Sequence, residues 1–112
     1  MNHPIFAAIK SKDNIQFDRL IKKVDINMKD PWKESLIWIA MLWHNFYAVD
    51  KILEYGGDIN QPDNMGTDTP LKYAVRDKNI ELLKILEKYE IERKSKDTLS
   101  LGKMKSLLSE KE

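Results

Sequence analysis

A chain of 112 residues, 42% hydrophobic and 33% charged, is long enough for one globular domain and short for two. Its 19 basic and 18 acidic side chains are spread evenly, 8 and 7 over residues 1–56 and 11 of each over 57–112, which argues against a nucleic-acid surface built on clustered positive charge. With no cysteine there is no disulfide, thiolate nucleophile or cysteine-ligated zinc site, and no run nears the roughly 20 apolar residues of a membrane span.

The opening segment, MNHPIFAAIKSKDN, has an apolar patch too short and too soon charged for a signal peptide. A cytosolic protein is expected, with specialised secretion left open. His3-Pro4 reads as a helix start, because proline at the first helical position lacks only an N–H that would go unpaired anyway. Ile5, Ala8 and Ile9 then form the stripe to be buried. The segment ends near Asn14, which is expected to cap a second helix carrying Ile15, Phe17, Leu20 and Ile21. Residues 24–34 follow, with Asp25, Asn27, Asp30 and Pro31, the chemistry of tight turns.

Ser35 is expected to cap the next helix, with Leu36, Ile37, Ala40 and Met41 as its stripe, and Asn45 a further one with Phe46, Val49, Ile52 and Leu53. Residues 57–68 return to turn chemistry with Gly57, Pro62 and Gly66. Thr69-Pro70 then repeats the start signal, ahead of Leu71, Ala74 and Val75, and Asn79 opens a helix with Ile80, Leu83 and Leu86. RKSKD at 93–97 is a polar break. Beyond it, Leu101, Met104, Leu107 and Leu108 lie at helical spacing, with Gly102 weakening the first turn.

The chain resembles itself. VDIN at 24–27 returns as GDIN at 57–60, and Asp25, Ile26, Asn27 and Asp30 return 33 residues later as Asp58, Ile59, Asn60 and Asp63. The same offset matches Ala7 to Ala40, Ala8 to Met41 and Leu20 to Leu53, and LKILEKYEI at 83–91 echoes DKILEYGGDI at 50–59.

At TPLKYAV, NIELLKILE and GGDINQPDNMG the sequence resembles the ankyrin-repeat family, whose unit is a β-turn and two helices in 33 residues with a Thr-Pro-Leu-His-x-Ala signature. That signature is HPIFAA, SLIWIA and TPLKYA here, and the resemblance covers roughly residues 3–97. It implies an all-α solenoid in one domain: repeats over about 1–32, 33–65 and 66–97, short β-turn fingers, and a capping helix over about 98–110 that hides one apolar face. The signature histidine is replaced by Phe6, Trp38 and Lys72, so its usual hydrogen bonds to the turns cannot all form. The glycine between paired helices is replaced by Lys12, His44 and Lys78.

Nothing in the residues suggests catalysis. His3 and His44 are the two histidines, at a helix start and an inter-helix loop, and no serine or carboxylate set converges on them. The glycines are scattered, so there is no phosphate loop. Asp25, Asp30, Asp58 and Asp63 fall in turns and are expected to bind their own backbone. DINQPDNMG departs from calcium-loop spacing and lacks its terminal glutamate. No cofactor, metal or small-molecule substrate is expected. Arg93, Lys94, Lys96, Lys103 and Lys105 form a basic tail diluted by Glu92, Asp97, Glu110 and Glu112. Weak nucleic-acid binding there is the reading from another class.

Trp32, Trp38, Trp43, Phe46 and Tyr47 fall close together. Trp38 and Phe46 suit a core; Trp32 and Trp43 are harder to bury. The resemblance places Ala7, Lys10 and Ser11, then Ile39, Leu42 and Trp43, then Tyr73, Arg76 and Asp77 on the concave face. The partner-binding surface is thus expected to comprise Trp32, Lys33, Ile39, Leu42, Trp43, Asp68, Tyr73, Arg76 and Asp77, an apolar centre with charged flanks. The expected function is non-catalytic, one-to-one binding of another protein. The chain is expected to be a bare stack with nothing fused to it, and the resemblance, which takes in small bacterial ankyrin-like inhibitors, then implies immunity against a cognate toxin. An effector or adaptor acting on a host protein is the alternative.

Overall fold

The computed structural model describes residues 3–93 and 98–109. Among the described residues seven helices follow one another: α1 (Pro4–Ser11), α2 (Asn14–Ile21), α3 (Leu36–Leu42), α4 (Phe46–Glu54), α5 (Pro70–Asp77), α6 (Ile80–Arg93) and α7 (Thr98–Ser109). Among the described residues the β-structure is one isolated bridge, Lys29 to Ser35. None of the described helices is long and apolar enough to cross a membrane.

Each helix pair begins with the same local chemistry. His3 Nδ1 accepts the Ile5 N–H at 3.1 Å, Ser35 Oγ the Trp38 N–H at 3.4 Å and Thr69 Oγ1 the Lys72 N–H at 3.3 Å. These caps satisfy donors with no intrahelical partner. The second helices are capped by Asp13, Asn45 and Asn79, whose side chains accept from Gln16, Ala48 and Leu82. Asp13, not Asn14, therefore opens α2. Asn14 is already inside the helix.

The caps fix the true register. From His3 to Ser35 the offset is 32, and from Ser35 to Thr69 it is 34. The constant offset of 33 holds for the turn residues but not for the helices. Ala8 matches Ala40 rather than Met41, and Ile21 matches Leu53, both buried in place of the expected Leu20. The echo of KILE is likewise one residue out of step. Leu82, Leu83 and Leu86 bury where Ala48, Val49 and Ile52 do, at the same distances from their caps.

Residues 24–34 and 57–68 form two fingers of like conformation. Asp25 Oδ1 accepts the Asn27 N–H at 2.9 Å, and Asp58 Oδ1 the Asn60 N–H at 2.8 Å. Asp30 Oδ1 takes the N–H groups of Trp32 and Glu34, and Asp63 Oδ1 that of Thr67. The first finger closes from Asp30 N–H to Glu34 O and the second from Asp63 N–H to Asp68 O, each at 2.9 Å. One extra residue in the second finger accounts for the longer spacing.

α1 packs on α2 and α3, α3 on α4, α2 on α4, and α4 on α6, while α7 leans on both α5 and α6. The first helices form one layer and the second helices another, with Ile5, Ile9, Phe17, Met41, Leu53 and Leu83 wholly buried between them. Each such side chain contributes roughly 1.5–3 kcal/mol relative to exposure. α7 buries Met104 and Leu108 and half-buries Leu107. Lys94, Lys96, Asp97, Glu110 and Glu112 of the basic tail, and the side chains of Arg93, Glu92 and Leu101, lie outside the described residues.

Ile15 corrects another expectation. It is 73% exposed, because the face of α2 that meets α1 and α4 carries Phe17 and Ile21 instead. The loop between paired helices holds further strain. Lys12, His44 and Lys78 all sit in the left-handed region, at φ 59°, 55° and 51°. That conformation suits glycine, since the Cβ crowds the backbone. It persists because each residue's N–H returns to carbonyls of the helix it ends.

Candidate protein-binding surface

The three tryptophans separate cleanly. Trp38 is 3% exposed, whereas Trp32 is 67% and Trp43 51% exposed. Trp38 lies in the signature-histidine position, and its Nε1–H donates to the Gln61 carbonyl of the second finger at 2.7 Å. The substitution therefore keeps one helix-to-turn hydrogen bond in repeat two.

Trp43 ends α3, where its N–H closes the helix onto Ile39 O. Its ring is covered on one side by the Lys10 ammonium of α1, 5.5 Å from the ring centroid. Such a contact is worth about 0.5–1 kcal/mol at an exposed site. Leu42 beside it is 49% exposed. Ile39 does not join them. It is 3% exposed and part of the core, because α3 is the central first helix and buries six of its seven residues. The apolar centre is Leu42 and Trp43 alone.

On α5, Tyr73 is half-buried edge-on against Trp38, with centroids 5.5 Å apart. Burial, then the charge of Asp77, push its hydroxyl above the usual tyrosine range. Asp77 itself is exposed. Arg76 forms an ion pair with Asp68 of the second finger, so these two charges first satisfy each other. The hydrogen bond from that carboxylate, followed by its charge, raises the Arg76 guanidinium further above its ordinary value.

Trp32 and Lys33 stand on the first finger, Lys33 at φ 65°. The two fingers touch where Asn64 Nδ2 donates to Trp32 O at 3.4 Å. Met65, 78% exposed on the second finger, was missed by sequence reasoning. Its signal was present: it follows Trp32 by the 33 residues that separate the fingers. Tyr47 stands apart on α4, with its hydroxyl donating to Asp18 at 2.7 Å and its ring edge-on to Phe17. His3 and His44 belong to the scaffold, as a helix cap and as an edge-on contact to Phe46 at 5.7 Å. Among the described residues, no group of three histidines, aspartates or glutamates could hold a metal ion.

The family model for ankyrin repeats, in three copies, matches residues 5–97. The chain is an ankyrin-repeat protein. Ankyrin repeats mediate protein–protein interaction and are typically non-catalytic binding modules, in keeping with exposed aromatics on fingers and first helices. No curated protein and no solved structure matches the chain.

Proposed function

We propose that this ankyrin-repeat protein binds one partner protein, stoichiometrically and without chemistry, through Trp43 and Leu42 at the centre and Trp32 and Met65 on the fingers. The observation that carries this is the split among the tryptophans: one serves the core, and two stand in solvent where stability gains little from them. Exposed aromatics of this kind are the usual anchors of interfaces. Lys33, Asp77 and the Arg76–Asp68 pair surround them and set register and specificity.

The partner we propose is a cognate toxin that the protein silences one-to-one in the cytoplasm. This rests on the resemblance to small bacterial ankyrin-like inhibitors. Affinity capture from the source organism's lysate, with Trp43→Ala and Arg76→Ala baits as controls, tests it. A toxic enzyme encoded next to this gene, retained by the parent bait and lost by the Trp43→Ala bait, supports the proposal. An isolated gene, or a protein retained equally by both baits, contradicts it.

A further inference from the structure

In repeats one and two, the third and sixth positions after the helix cap are sealed from solvent. Phe6 and Trp38 are 2% and 3% exposed, and Ile9 and Met41 are both 0%. Counting the same distances from Thr69, repeat three places Lys72 and Val75 there, and neither is sealed: Lys72 is exposed and Val75 half-buried. α7 covers repeat three only in part. A groove of about 700 Å³ remains between α5 and α7, lined by Lys72, Val75, Arg76, Lys78, Lys103 and Leu107.

The chemistry of that seam is one-sided. Val75 and Leu107 give it an apolar floor, and Lys72, Lys78 and Lys103 form ion pairs with no acid among the described residues. Asp68, which also lines it, is engaged by Arg76. Lys72 also occupies the position from which Trp38 reaches across its own seam to Gln61 O.

We infer that the α5–α7 seam receives an acidic segment of a partner protein, chosen by charge complementarity to the seam's three lysines. Carboxylates of that segment meet Lys72, Lys78 and Lys103, and an apolar side chain rests on Val75 and Leu107. Trp43 does not line this seam, although the Arg76–Asp68 pair borders both surfaces, and the inference does not depend on the aromatic surface being a docking site.

The test is a fluorescence-anisotropy titration of the full chain with a short labelled peptide of alternating glutamate and leucine. The same peptide with lysine for glutamate and a single-stranded oligothymidylate serve as competitors. Binding is expected to weaken about tenfold or more in the Lys72→Glu, Lys103→Glu double variant, and to weaken with salt, as screened charge pairs do. It should be unchanged in Trp43→Ala. Amide shifts induced by the peptide in the unaltered chain should map to α5 and α7, a readout independent of how the variants fold. Equal binding by the double variant, shifts elsewhere, equal competition by oligothymidylate, or a dimer of the chain with the seam closed between copies would each overturn the inference.

Discussion

Trp38 and Gln61 are joined by a 2.7 Å hydrogen bond from a buried indole to a finger carbonyl, tying α3 to the second finger. One residue thus joins core and turn: its rings fill the space beneath repeat three and its N–H fixes the finger. Trp38→Phe keeps most of the volume and loses the donor. It is expected to cost about 1–2 kcal/mol, the price of an unmade hydrogen bond plus a small void. For a domain of this size that is a fall of roughly 4–8 °C per kcal/mol, measured by thermal melting.

Lys12 and Lys78 occupy a backbone region in which glycine carries no steric penalty. Both are exposed and make no ion pair among the described residues, so Lys12→Gly and Lys78→Gly remove strain and little else. Each is expected to stabilise by about 0.5–1 kcal/mol, the relief being partly offset by a freer unfolded chain. Denaturant midpoints of the two variants, singly and together, check this; unchanged or lower midpoints would refute it.

Asn45 is 2% exposed and serves two repeats at once. Its Oδ1 caps α4 through Ala48 N–H, and its Nδ2 donates to Ile9 O and to Asn14 Oδ1, both in repeat one. Asn45→Ala leaves an uncapped helix and a buried carbonyl without its donor, a loss of about 2–4 kcal/mol. Asn45→Asp keeps the cap but sets a carboxylate against that carbonyl. Both variants should melt well below the parent, whereas Asn14→Ala should lose much less.

The acid side of the stability profile has two opposing contributions. Burial, followed by the charges of Asp30 and Asp63, pushes the Glu34 carboxyl above its ordinary value, against lowering bonds from the Ser35 and Asn64 backbone. Its Oε1 is buried and has no hydrogen-bond partner among the described residues. The folded state therefore holds this proton more tightly, and stability falls as pH rises from 4.5 through the raised value. Glu34→Gln should melt higher than the parent at neutral pH, with the advantage vanishing below that range. Asp63 runs the other way. The Thr67 N–H, then those of Asp68 and Met65, hold its carboxyl below 3.8, so its contribution is present at neutral pH and is lost as pH falls below that value. A pH series of melting curves for both proteins resolves the two.

Much of this was legible in the residues, and the misses share a cause. Turn chemistry at Asp25, Asp30, Asp58 and Asp63 is local, and the fingers form as the spacing implies. Helix register is set by caps and by packing against neighbouring repeats. An identity such as KILE therefore misled, while the less conspicuous Asn45 and Asn79 gave the true alignment. The same holds for the surface. That Trp32 and Trp43 face solvent follows from their positions at a turn and a helix end. Ile39 is buried because its helix has repeats on both sides, a fact about stacking that no single repeat contains.

The surface account is tested most directly by measuring, side by side, the melting temperature and the partner affinity of Trp43→Ala, with Trp38→Ala as the core control. Trp43→Ala should melt within about 2 °C of the parent, as exposed substitutions do, and bind the captured partner more weakly by about 2 kcal/mol, near thirtyfold. Trp38→Ala should lose stability outright. A steep fall in the Trp43→Ala melting temperature with affinity intact would contradict the claim that this side chain serves docking rather than folding.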